Sequence, residues 1–327
     1  MTFLPGFYPF PQMSEARQFV ASLPSKPQFL LVAIAWVALF QFLGNSSFGY
    51  ASTPSLFSWL VAVYESNPDD SLGYMIPPLI VALLYSKREQ LVPLEKSPWG
   101  PALILLFLAL LLHVVGYLVQ QVRVSLLAFA LGIWALTGLF WGLRWMRATA
   151  FPFGLMFFAV PLTAYTDSMT FHLRLLSTSL AAGFCKVVLN LSLIRDGTVV
   201  YHALPGGVRG FEFEVAPACS GIRSLTVVLL LTLVFGYLRF DSPWRRLALV
   251  VAAVPLAVIA NVVRLVTVFT VGEAWGGAAG KRIETNLGFV TFVVALGGML
   301  LLARFIKETP LGASTGDSGV GAIPRNT

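Results

Sequence analysis

Charge is scarce in this chain: Asp, Glu, Lys and Arg make up 11% of its 327 residues, against about 25% in soluble domains. Cysteine is scarcer still. Only Cys185 and Cys219 occur, which excludes a disulfide framework and a thiolate zinc site. No acidic pair or histidine cluster has metal-ligand spacing, and no glycine-rich phosphate loop is present, so neither a metal nor another cofactor is expected. The N-terminus lacks a basic region followed by an apolar core and a small-residue cleavage site, so no cleaved signal peptide is expected. No internal repeat is visible, which argues against the repeat architecture of many transporters.

Hydrophobic residues reach 57%. Apolar runs bounded by Pro, Gly or charge fall at residues 28–44, 72–86, 99–118, 124–142, 149–165, 220–238, 247–270 and 286–305. Each is long enough to enter a ~30 Å hydrocarbon layer. The expected fold is therefore an all-α polytopic membrane protein with about eight transmembrane helices. Residues 1–27 form an N-terminal cytoplasmic or interfacial segment, 28–308 the membrane domain, and 309–327, rich in Gly, Ser and Thr, a disordered tail. The net charge of +7 would point to nucleic acid only if it were clustered in a soluble domain. Here it marks topology instead. Lys87, Arg88 and Lys96, then Arg144 and Arg147, then Arg239, Arg245 and Arg246, then Arg304 and Lys307 all fall on one side, which is then cytoplasmic. Arg123, Lys281 and Arg282 dissent but are fewer. No nucleic-acid partner is expected, and the site is expected on the outer side of a cell inner membrane.

An outer insertion, about 166–218, separates the fifth and sixth spans. Asp167 to Leu193 reads as a helix lying in the interface or tucked against the bundle, since His172, Arg174 and Lys186 interrupt its Leu and Phe. Arg195-Asp196-Gly197, Pro205-Gly206-Gly207 and the alternating Phe211-Glu212-Phe213-Glu214-Val215 predict one or two β-hairpins.

Two motifs carry chemistry. Ala218-Cys219-Ser220-Gly221-Ile222-Arg223 stands where the insertion meets the sixth span. A cysteine at a helix start feels the positive end of the dipole, which favours thiolate, and Arg223 shares its face. The alternative is a structural cysteine beside a snorkelling arginine. Ala260-Asn261-Val262-Val263-Arg264 lies inside an otherwise apolar run, and an intramembrane arginine is costly enough to be read as functional. The span order brings Cys219, Arg223, Asn261 and Arg264 to one depth. A polar cluster that merely binds helices together is the competing explanation.

These motifs, supported by Asn67-Pro68-Asp69-Asp70-Ser71 and by Phe151-Pro152 through Val160-Pro161-Leu162, resemble the exosortase/archaeosortase family of membrane cysteine transpeptidases over about Phe29 to Phe305. The resemblance implies an enzyme that recognises substrate proteins ending in a short motif, a transmembrane helix and a basic end. It would cut at the motif and transfer the product to an acceptor. Cys219 matches the family's nucleophile and Arg264 its essential arginine, while Arg223 and Asn261 are assigned to substrate binding. One departure concerns the family histidine that precedes the last span by a few residues. Its position falls at Glu284 in Glu284-Thr285-Asn286-Leu287-Gly288, so Glu284 is the third expected catalytic residue. A histidine seen near the second span in many relatives is also missing, with Leu72 in that neighbourhood. A non-catalytic transporter or assembly scaffold is the alternative, with Asn261 and Arg264 lining a polar path. An intramembrane serine protease built on Ser220 lacks a histidine deep in a later span.

Overall fold

The computed structural model describes residues 19–47, 51–67, 69–203, 209–214 and 222–306. In the N-terminal half, α1 (Lys26–Leu43), α2 (Leu56–Ser66), α5 (Ala102–Leu118) and α6 (Val122–Trp141) pack around Trp36, Phe40, Trp59, Leu126 and Leu136. Close approach there depends on small residues, as is usual where lipid supplies no hydrophobic drive between helices. Gly132 lies directly under the Trp36 ring, where any Cβ would overlap it, and the Trp36 indole N–H donates to the Phe129 carbonyl at 3.2 Å. The other side of α5 exposes Leu103, Ile104, Phe107 and Leu111, with Phe107 65% accessible. So continuous an apolar surface is unsuited to water and marks a lipid-facing side.

Between the halves run α3 (Ile76–Ser86), α4 (Arg88–Leu91), α7 (Leu143–Ala148) and α8 (Ala150–Gly154), with 3-10 turns at Ser71–Met75 and Leu155–Ala159. The run at 149–165, expected as one span, is instead broken. Helix α8 passes into the 3-10 turn at Leu155, and Val160 is extended before Pro161, as the residue preceding a proline prefers. The following helix α9 (Thr163–Val188) already contains residues 163–165.

The C-terminal half consists of α10 (Ile222–Arg239), α11 (Pro243–Trp275), α12 (Gly277–Asn286) and α13 (Gly288–Phe305). Ala253, Ala260 and Ala295 allow α10, α11 and α13 to meet closely around Val228. Three described helices are long and apolar enough to cross a bilayer by length and composition, namely Lys26–Leu43, Val122–Trp141 and Pro243–Trp275; the other apolar helices are shorter. α11 is longer than the expected 247–270 and contains Pro255, which has no N–H to give to the Val251 carbonyl.

The expected hairpins form one three-stranded antiparallel sheet in the order β1 (Leu193–Asp196), β2 (Val199–Ala203), β3 (Arg209–Glu214). Asp196 pairs with Val199 across Gly197-Thr198, and Gly197 takes φ 61°, the positive value that tight hairpin turns demand. The register puts Leu193, Val200 and Phe213 on one face. That face packs with Ala181 and Cys185 of α9 onto Leu265, Val268 and Phe269 of α11.

At the opposite end of α11, Lys87 and Arg246 both lie over the Tyr237 ring, 5.2 and 5.5 Å from its centre. Arg144 meets Glu95 at 3.2 Å. Met299 and Ile306 of the last helix region cluster there with Leu249 and Phe240. Lys87 of the first basic group and Arg246 of the third thus meet at the end of α11 away from the sheet.

Candidate functional site

Helices α10 and α11 are antiparallel neighbours, and their register fixes the depth of the site. Gly236 stands against Arg246, and Leu225 lines a cavity with Ala257 and Val258. Stepping back along α10 by a number of residues advances the contact along α11 by the same number. Ile222, the first residue of α10, is therefore level with Ala260, beside Asn261 and one turn below Arg264. At 1.5 Å per residue, Asn261 lies about 27 Å along α11 from Pro243, close to the thickness of a hydrocarbon core.

Of the residues expected to do chemistry, Cys219 lies outside the described residues, three positions ahead of Ile222 in sequence. Arg223 belongs to the first turn of α10 and Glu284 to the last turn of α12; their side chains are outside the described part. Asn261 and Arg264 share one face of α11, with Asn261 1% exposed and Arg264 half-buried.

Asn261 is the anomaly. Neither its Nδ2 nor its Oδ1 has a hydrogen-bond partner among the described residues. A buried amide without partners costs about 1–3 kcal/mol per orphaned group. It lines a small cavity whose other walls are Leu173 and Ser177 of α9, Leu225 of α10 and Val254, Ala257 and Val258 of α11.

The charged helix α9 therefore belongs to the site. It uses one face against α11: Arg174, Ser177, Thr178, Ala181, Ala182 and Cys185 are all buried, and they recur at the three- and four-residue spacing of a single helical stripe. The half nearer the sheet is apolar; the half beside Asn261 is polar. Arg174, 9% exposed, stacks its guanidinium 5.4 Å from the Phe171 ring centre. Its Nε and the Thr178 hydroxyl lack hydrogen-bond partners among the described residues. Sequence reasoning treated Arg174 as one of several interfacial charges. The signal that could have singled it out is its place in the small-residue stripe that continues through Ser177, Ala181 and Cys185.

Burial among Ala181, Leu193, Val200 and Phe269 pushes the Cys185 thiol up to about 11, since an apolar setting disfavours thiolate. Cys185 is thus a packing residue. His202, on β2, brings Nδ1 within 2.7 Å of Oε2 of Glu273 on α11. The approach falls outside hydrogen-bond angles, so the contact is one of charge, attractive when the imidazole is protonated. Next to it Phe213 fills the space over Gly280 of α12, where a Cβ would collide with its ring. The sheet is thereby seated on both α11 and α12, the helix that carries Glu284.

No curated protein and no solved structure matches the chain. The family model described as Transmembrane exosortase (Exosortase_EpsH) matches residues 59–301. That stretch takes in the α9 stripe, the sheet, the cysteine motif and the Asn261 to Arg264 segment. This multi-pass membrane protein belongs to the transmembrane exosortase family.

Proposed function

We propose that the protein is a cysteine transpeptidase that cuts a C-terminal sorting signal through a thioester on Cys219. The observation that carries this reading is the register of α10 and α11, in which the start of α10, three residues after Cys219, is level with Ala260, beside Asn261 and one turn from Arg264. Cys185, the other cysteine of the chain, is sequestered and its thiol is hard to ionise.

In the proposed reaction the Cys219 thiolate attacks a peptide carbonyl of the signal. The C–N bond breaks, the departing amine of the downstream helix takes a proton, and the acyl group stays on sulfur. An amine or hydroxyl acceptor then gives up its proton, displaces the thiol and receives the acyl group. Arg264, charged at any working pH, stabilises the oxyanion that forms on the carbonyl oxygen, a contribution worth about 10²–10³ in rate for a well-placed donor. Glu284 supplies the proton exchange that arginine cannot. With about eight spans, the basic groups lie in the cytoplasm, and the site faces the outer side of the inner membrane.

The test is coexpression with a reporter that ends in a candidate motif, a hydrophobic helix and an arginine cluster. Processing is expected with the native chain and lost in Cys219→Ala at equal membrane abundance. Undiminished processing by that variant removes Cys219 from the mechanism.

A further inference from the structure

Lys87 and Arg246 reach one aromatic ring from different helices. Lys87 caps the end of α3, Arg246 belongs to the first turn of α11, and both lie over Tyr237 of α10, against which Phe151 of α8 stacks at 4.1 Å. Neither cation meets a carboxylate among the described residues. There the Lys87 ammonium has only the ring, and Arg246 adds one side-chain hydrogen bond, from Nε to the Phe240 carbonyl at 2.6 Å. The terminal NH₂ groups of Arg246 donate to no described residue. Other cations of the basic groups do have acidic neighbours: Arg144 meets Glu95, and Arg88 lies 4.0 Å from Glu89. A ring attracts a cation only weakly, and two like charges drawn to the same ring repel each other. The pair therefore calls for an anion.

Where the pair sits decides which anion. Three boundaries between apolar sequence and charge coincide there: α3 ends its apolar run just before Lys87, α10 passes from Leu238 to Arg239, and α11 turns apolar at Leu247, immediately after Arg245 and Arg246. Trp244, 76% accessible, stands two residues before Arg246, and tryptophan gathers where membrane meets water. Leu247, Val251 and Val254 follow it on one exposed face of α11, as lipid-facing residues do. The pair is thus level with the lipid phosphates, at the edge of the hydrocarbon layer. A guanidinium can give a phosphodiester two parallel hydrogen bonds, and an ammonium beside it adds a point charge. In the proposed orientation this is the cytoplasmic leaflet, whose surface is negative.

We propose that Lys87 and Arg246 together bind the phosphodiester of an anionic phospholipid, with the Tyr237 ring as the floor of the headgroup site. A zwitterionic lipid brings its own ammonium, which competes with Lys87, so a headgroup without one is preferred. The bound lipid ties the end of α3 to the start of α11 across α10. The site lies at the end of α11 opposite the sheet and takes no part in acyl transfer.

The test is native mass spectrometry of the full chain in detergent, titrated with phosphatidylglycerol, phosphatidylcholine or inorganic phosphate. Saturable binding of a single phosphatidylglycerol is expected, tighter than that of phosphatidylcholine and not displaced by millimolar inorganic phosphate. Lys87→Gln and Arg246→Gln should each weaken it about fivefold, the worth of one basic residue at an anionic surface. Arg147→Gln, which removes an exposed charge from another basic group, should leave it unchanged. Should Arg246→Gln fail to fold, Lys87→Gln still decides, because that ammonium touches only the ring among the described residues. Equal affinity for the two lipids, undiminished binding in Lys87→Gln, or an equal loss in Arg147→Gln overturns the site. Displacement by inorganic phosphate would make it a site for free anions and overturns the lipid. So does a preference for phosphatidylglycerol that arises only in Glu308→Gln, since the chain's own carboxylate, two residues beyond Ile306, would then be the natural partner.

Discussion

His202 and Glu273 meet at 2.7 Å where the second strand crosses the far end of α11. They are the polar clasp of a contact that is otherwise apolar. With side chains 16% and 31% accessible, the pair should couple by about 1 kcal/mol, toward the upper end for a partly exposed ion pair. A double-mutant cycle of His202→Gln and Glu273→Gln, followed by thermal unfolding in detergent at mildly acidic pH, should return that coupling. Substrate turnover should change only weakly in either single variant. A coupling of zero would show that Val200, Phe213 and their neighbours hold the sheet unaided.

The two cysteines should differ sharply towards thiol reagents. An impermeant maleimide added to intact cells should label Cys219 and spare Cys185, which is buried and reluctant to ionise. Labelling of Cys219 only after permeabilisation would reverse the proposed orientation. The Cys185 shift also has a sign in stability. Its thiol stays protonated in the fold up to about 11, whereas the unfolded chain ionises from about 9. Stability is thus lost as pH rises through that window, and Cys185→Ala should flatten the decline.

Arg264→Lys should insert normally yet lose most turnover. A guanidinium donates two parallel hydrogen bonds in one plane, which an ammonium cannot reproduce. Near-native turnover of the lysine variant would mean that a point charge suffices.

Glu284→Gln should cut turnover strongly, whereas His172→Ala should do so weakly. A carboxyl near the membrane boundary can be raised towards neutrality and so exchange protons with the leaving amine and the acceptor. His172, by contrast, is exposed on α9. A silent Glu284→Gln variant together with an inactive His202→Ala would move the proton exchange to the sheet.

Much of the helix layout was legible in sequence because apolar runs and their Pro, Gly or charged boundaries are local signals. The sheet was legible for the same reason: Asp196-Gly197 and the alternation from Phe211 to Val215 mark turn and strand without outside help. The short α2 was missed because its apolar run is brief and ends at Glu65 and Ser66. The fifth span was over-read because hydropathy does not register that the helix gives way to a 3-10 turn at Leu155 and to extended backbone before Pro161. Asn261 and Arg264 stood out by cost alone. Arg174 did not, since a charge on an amphipathic helix becomes exceptional only when the facing helix is known, and that helix begins 69 residues later, at Pro243.

Pro255 divides α11 at a position with one backbone hydrogen bond missing, and helices bend where such a bond is absent. Beyond that joint, a single unbroken rod bears Asn261, Arg264, the apolar seat of the sheet and Glu273. A swing at Pro255 would carry all of them as one rigid head, keeping their mutual spacing while changing its tilt against α10 and α9. The cavity walls contributed by Leu225 and Ser177 stand on those other helices, so the swing would widen or narrow the cavity without disturbing Asn261 relative to Arg264.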